Sequence, residues 1–207
     1  MNTETSAISP GSANREFRPT LSIYHPNARG TGCAVKMELH PAHDDVDGSI
    51  MVTLANQIAP EDIKKDAPAK GFANFARFDW KNRITVKLDF SDLCRILQVL
   101  RGECEAIEDG KGLIHTSPGF LTKIQLRHTQ DPKPGFILEV YKNSTDKSAR
   151  DTCARILFST AEAYGLAMSF EASIGIICFG IPKVVPHDIS GYRSKVRIMR
   201  NGTAAVA

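Results

Sequence analysis

The residues in this chain best suited to chemistry are cations and aromatic rings at alternate positions of strand-like segments. Lys36, Arg83, Lys87, Lys123 and Arg127 supply charge, and Tyr24, Trp80, Phe136 and Tyr141 supply flat apolar surfaces. Such a mixture suits single-stranded nucleic acid, whose exposed bases stack on rings while its phosphates need cations. On these residues alone an ordinary reading stays open, because strands favour aromatics and wet strand faces favour lysine and arginine. No catalytic constellation competes with either reading. GxSxG, HExxH and a phosphate-binding glycine loop before a helix are all missing, and Gly30-Thr31-Gly32 precedes a strand. The chain is therefore expected to be no enzyme and to carry no cofactor.

Two further clusters invite a chemical reading and lose it on inspection. His43-Asp44-Asp45-Val46-Asp47-Gly48 holds several metal-ligating types, but Asp and Gly are what a tight turn demands, and the glutamate that ends a calcium loop is missing. No metal is expected. The five cysteines, Cys33, Cys94, Cys104, Cys153 and Cys178, are odd in number and never reach CxxC spacing, which favours reduced thiols in a cytosol-like compartment. Cys94 and Cys178 lie in apolar helical patterns and read as core fillers.

The elements that would position the cations and rings follow from periodicity. Around residues 78–102, Ile84, Val86 and Leu88 alternate with Arg83, Thr85, Lys87 and Asp89, the pattern of a strand with one buried and one wet face. Phe90 closes that strand and Ser91 is placed to cap a helix carrying Leu93, Ile96, Leu97 and Leu100, which Gly102 stops. Trp80 is expected to pack structurally at the end of this strand-to-helix junction, with base stacking as the alternative role. A second junction follows the apolar run Arg155 to Phe158, where Ser159-Thr160 caps a helix from Glu162 to about Phe179. The chain thus reads as two halves, each of several antiparallel strands followed by one helix.

In the first half, strands are expected from Leu21 to Tyr24, Thr31 to His40 and Ser49 to Ala55, and a long connection spans 57–77, with one helical turn at Glu61 to Asp66. In the second half, Asp109-Gly110 is expected to join Glu103 to Ile107 and Leu113 to Thr116 as a hairpin. Two long strands, Phe120 to His128 and Phe136 to Lys142, come next. The last helix has Glu171 as the sole charge in residues 163–181, a length and composition near those of a membrane span. Its serines and its place after a soluble strand pattern favour burial between sheets or subunits, with Gly165, Ala172 and Gly175 allowing close approach. No membrane partner is expected.

The whole chain of 207 residues carries +3. Residues 1–19 balance their charges, whereas residues 183–207 hold Lys183, Arg193, Lys195, Arg197 and Arg200 against Asp188, which leaves about −1 for 20–182. Any polyanion would thus be held by local stripes and by the basic arm. The division expected is a flexible tail over 1–19, one domain over 20–182 and a basic tail over 183–207. Residues 1–19 lack the apolar stretch of a secretory signal. The expected place is the cytoplasm, on the nucleoid if the source is a bacterium or phage, with an organelle as the alternative.

Over residues 20–182 the order of elements and three local stretches resemble the Whirly family of single-stranded DNA-binding proteins. These stretches are Ile23-Tyr24 with Gly32-Cys33-Ala34-Val35-Lys36-Met37-Glu38; Phe78-Asp79-Trp80-Lys81-Asn82-Arg83 with the following strand and helix; and Ser159-Thr160-Ala161-Glu162-Ala163. The resemblance implies an α+β fold of two repeats, each a four-stranded antiparallel sheet plus a helix. It also implies a homotetramer assembled through the helices, and binding of single-stranded DNA. Kinetoplastid guide-RNA-binding proteins share that architecture, so RNA is the alternative ligand, and a scaffold without nucleic-acid binding is the rival of another class. The family's lysine-rich KGKAAL stretch is matched here by Gly30 to Val35, which has no lysine, with Arg29 and Lys36 on its flanks. The expected binding residues are Tyr24, Arg29, Lys36, Lys87, Lys123, Arg127, Phe136 and Tyr141, and Phe78, Asp79 and Trp80 form the structural motif.

Overall fold

A computed structural model describes residues 19–59, 61–62, 76–131, 133–146 and 149–181. The expected tails, the Lys64-Lys65 pair, Phe72 and Phe75 lie outside those residues, and of the turn expected at Glu61 only Glu61 and Asp62 fall within them, both helical.

Alternation of apolar and polar residues builds two antiparallel sheets. The first contains β1 (Thr20–His25), β2 (Cys33–His40), β3 (Ser49–Asn56) and β4 (Ile84–Leu88), in that spatial order. The second contains β5 (Leu113–Ser117), β6 (Phe120–Thr129), β7 (Gly135–Ser144) and β8 (Thr152–Ser159), again in chain order. Helix α1 (Phe90–Leu100) follows the first sheet, and α2 (Thr160–Phe179) follows the second. One apolar core joins the inner faces of both sheets to one side of each helix, with Val35, Val52, Leu54 and Val86 from the first half and Ile124, Leu126, Val140, Ile156 and Phe158 from the second.

Both helices begin with a capping box, in which cap side chain and third-residue carboxylate each satisfy the other's backbone amide. In α1 the cap is Asp89 rather than the expected Ser91. Asp92 N donates to Asp89 Oδ1 (2.9 Å) and Asp89 N to Asp92 Oδ2 (3.2 Å), while Ser91 Oγ accepts from Arg95. A carboxylate two residues earlier outcompetes the serine because its strand-like backbone already faces the free amides. In α2 the cap is Ser159, as its sequence suggests, with Glu162 as reciprocal partner.

Each of these acids also receives a histidine from the first strand of the other half. His25 of β1 lies 2.7 Å from Glu162, and His115 of β5 lies 3.0 Å from Asp92. The two halves are thus tied reciprocally at the helix starts. Arg101 and Glu171 (2.7 Å) tie the helix bodies together.

The turn rich in Asp and His has a structural task. Its Ala42 and Gly48 amides donate to the Ile176 and Ile177 carbonyls (both 3.1 Å), so it closes the C-terminal end of α2. A Cβ at Gly48 would sit 2.6 Å from the Ile177 carbonyl oxygen, so only glycine fits that approach. Among the described residues no group of three or more ligating side chains could hold a metal.

Three expectations need correction. Glu103 to Ile107 is not a strand: Ile107–Gly110 forms a 3-10 turn in which Glu108 and Asp109 take left-handed angles (φ 49° and 52°). The hairpin that exists joins β5 to β6 at Pro118-Gly119, where proline presets the first turn position and Gly119 supplies φ 77° for the second. All five cysteines are free, but the buried one is Cys33, whose thiol burial pushes up to about 11, while Cys178 is exposed and Cys94 half-buried. Helix α2 buries Ala163, Leu166, Ala167, Phe170 and Ile177, yet leaves its other side open, with Tyr164 70% and Phe179 89% exposed. It is the one described helix long and apolar enough to cross a membrane, and its inner side belongs to the core.

Candidate nucleic-acid interface

The outer face of the first sheet is set by register. Tyr24 pairs with Ala34, Ser22 with Lys36 and Thr20 with Glu38, and the row continues through Lys36–Thr53–Thr85 and Glu38–Met51–Lys87. Tyr24 is 54% exposed at one end of this face. Behind it stand Phe78, with ring centroids 5.6 Å apart, and Trp80, edge-on at 6.5 Å. Trp80 therefore lies at the entry to β4, four residues before the strand and at its far end from α1, not at the strand-to-helix junction.

The Phe78 to Arg83 stretch holds these rings by local bonds. Asp79 N donates to Asn56 O (2.8 Å), and the Asp79 carboxylate accepts from Asn82 Nδ2 (2.8 Å) and Asn82 N (3.1 Å). Bonding from the Asn82 side chain above all keeps the Asp79 carboxyl below its usual value. Arg83 Nη1 donates back to Trp80 O (2.9 Å). Asp79 is thus the organiser of a tight turn that presents an aromatic trio. Arg29 sits at the same end of the sheet, in the turn after β1, where Asn27 Oδ1 accepts from the amides of Arg29 and Thr31.

Of the lysines on this face, Lys36 is neutralised by Glu38 at 2.8 Å. Lys87 is exposed and has no ion-pair partner among the described residues.

The second sheet repeats the arrangement with more charge. Lys123 pairs directly with Tyr141, Tyr141 with Cys153, and Glu139 with Arg155, and Arg127 shares their face. Burial first, then the Glu139 and Cys153 charges, pushes the Tyr141 phenol up, so it stays neutral and able to donate at ordinary pH. Lys123 has no ion-pair partner among the described residues.

Phe136 does not belong to this surface. Its parity places it opposite His128 and Phe158 on the inner face, where it is 6% exposed and its ring meets His128 at 5.2 Å. A shift of one residue in a strand exchanges core for solvent. The residue that the sequence reading passed over is Arg155, hidden in an apolar run; its signal was the alternation of Cys153, Arg155 and Leu157 with Ala154, Ile156 and Phe158. The two sheets meet where Asn56 Nδ2 donates to Cys153 O (2.8 Å), beside the end of the first sheet that carries the aromatic trio.

No protein-family model matches the chain, and no curated protein matches it either. Solved structures do. The chain is similar to the crystal structure of WHY1 from Arabidopsis thaliana at a TM-score of 0.57 and 13% identity, covering 93% of this chain and 96% of that one. It is similar to the crystal structure of WHY3 from the same plant at a TM-score of 0.60 and 13% identity, covering 91% and 99%. Two four-stranded antiparallel sheets, each followed by a helix, together with this likeness over nearly the whole of both chains, give the protein a Whirly-like fold.

Proposed function

We propose that this protein binds single-stranded nucleic acid on the outer faces of its two sheets, with single-stranded DNA as the preferred ligand and little sequence preference, in DNA maintenance or transcription. The observation that carries the proposal is that rings and cations share both outer faces: Tyr141 lies directly opposite Lys123 on the second sheet, and on the first Tyr24 and Lys87 stand at opposite corners of one face. Rings accept every base by stacking, and cations follow the backbone, so affinity without strong base readout is the natural product. The Whirly-like fold supports the same reading. Among the described residues neither α1 nor α2 is placed to enter a duplex groove, since both pack against the core and the open side of α2 carries no cation.

Charge reversal of Lys123 and Arg127 tests the proposal. Each lost phosphate contact lowers the salt slope for a single strand by roughly 0.7. The double variant is expected to bind every sequence more weakly and with a flatter salt dependence. Unchanged affinity and slope in a folded double variant would remove this face from the site.

The exposed side of α2 supports a second element of the proposal, a homotetramer built through the helices. Tyr164, Gly165 and Met168 line an uncharged strip bordered by the Glu171–Arg101 pair, and outside the helix's own backbone no described residue comes within 4 Å of a Cβ placed at Gly165 or Gly175.

A further inference from the structure

A carboxylate in the middle of a face that is to hold a polyanion calls for a reason. Glu139 lies on the inner strand β7, 13% exposed at its side chain, with Arg155 Nε 3.6 Å away on one neighbouring strand and Arg127 Nε 3.8 Å away on the other. Both separations exceed hydrogen-bond length, so the carboxylate is shared electrostatically and locked to neither guanidinium. Both guanidinium groups are half-exposed and neither is held at hydrogen-bond distance, so each pair adds little to stability and folding alone gives weak grounds for them. The first sheet shows the same device in smaller form, with Glu38 occupying Lys36.

We propose that Glu139 attenuates nucleic-acid binding: it occupies Arg127 and Arg155, so that an incoming phosphate must displace it, and Arg155 is a further phosphate-contacting residue of this face. The inference rests on the single-strand-binding reading above. Removing the carboxylate leaves two neighbouring guanidinium groups whose best available counter-charge is a phosphate, and planar forks suit phosphate oxygens in pairs. The attenuator keeps the face below the affinity that Lys123, Arg127 and Arg155 would otherwise give.

The experiment is a salt series of affinities for a single-stranded DNA oligonucleotide, measured on the parent, Glu139→Gln, Glu103→Gln, and Glu139→Gln combined with Arg155→Gln. Glu139→Gln preserves shape and is expected to tighten binding roughly threefold at about 50 mM salt and to steepen the slope by about 0.7. Adding Arg155→Gln is expected to return both toward the parent. Glu103→Gln makes the same charge change in the turn after α1, outside both sheets and beside Arg101 rather than Arg127 or Arg155, and is expected to leave affinity unchanged. If Glu139→Gln does not fold, Glu139→Thr replaces it, since a β-branched residue suits an inner strand. A parent that binds no single strand sinks the proposed function and this inference together. A binding parent whose Glu139→Gln variant is equal or weaker, or whose Glu103→Gln variant tightens equally, overturns the attenuator and leaves the function standing.

Discussion

Tyr24 and Trp80 share one aromatic cluster but divide its labour. Tyr24 is exposed and backed by two rings, so its face is open to a base, whereas Trp80 is half-buried edge-on behind it. Tyr24→Ala is expected to lower single-strand affinity about tenfold, within the range for one lost stack, and to leave the melting temperature nearly unchanged. Trp80→Ala is expected to lower the melting temperature by several degrees, because it empties packing behind Tyr24 and loosens the Asp79 turn. Calorimetry and affinity measured on both variants check this division; a Trp80→Ala protein that melts like its parent would contradict it. Tyr24 was legible from sequence because an exposed ring at the end of an alternating strand is a local feature. Phe136 was not, since only cross-strand register with His128 and Phe158 decides which side of the sheet a strand's first ring faces.

At the scale of elements, the helix starts join the halves. Burial pushes the Glu162 carboxyl up, but hydrogen bonds from the Ser159 backbone and the His25 ring outweigh it and leave it below the usual value near 4.5. A carboxyl held lower in the folded than in the unfolded chain contributes its stability above the unfolded value, and loses it as pH falls through the folded one. Glu162→Gln is therefore expected to remove about 1 kcal/mol at neutral pH, a drop of roughly 2–4 °C, and to flatten the loss of melting temperature below pH 4.5. Thermal melts from pH 7 to pH 3 check it, and parallel acid limbs in parent and variant would contradict it. The strands and both helices were readable because period two and period 3.6 are written in the chain. The reciprocal histidines were not, because His25 and Glu162 meet across 137 positions. Nor was the turn at Ile107–Gly110, where Asp-Gly does bend the chain but the preceding residues have no strand to pair with beyond one bridge from Ala106 to Arg127.

Across the whole molecule, the surface proposed for the ligand and the one proposed for self-association lie apart: outer sheet faces for the first, the open side of α2 for the second. Gly165→Leu tests the second surface, since a Cβ there meets no described residue outside the helix's own backbone and the change improves helix propensity. Light scattering is expected to show a tetramer for the parent and smaller species for this variant at micromolar concentration. A monomeric parent would contradict the assembly. The sequence made the nearly uncharged stretch of α2 visible, yet only the fold shows that its apolar residues divide between a core side and an open one. The identity of the ligand is settled by titrating the purified protein with single-stranded DNA, duplex DNA and single-stranded RNA of one sequence at one salt concentration. Binding is expected to be tightest for single-stranded DNA and weakest for the duplex, whose stacked bases offer no face to Tyr24 or Tyr141. Equal affinity for duplex and single strand would contradict that expectation.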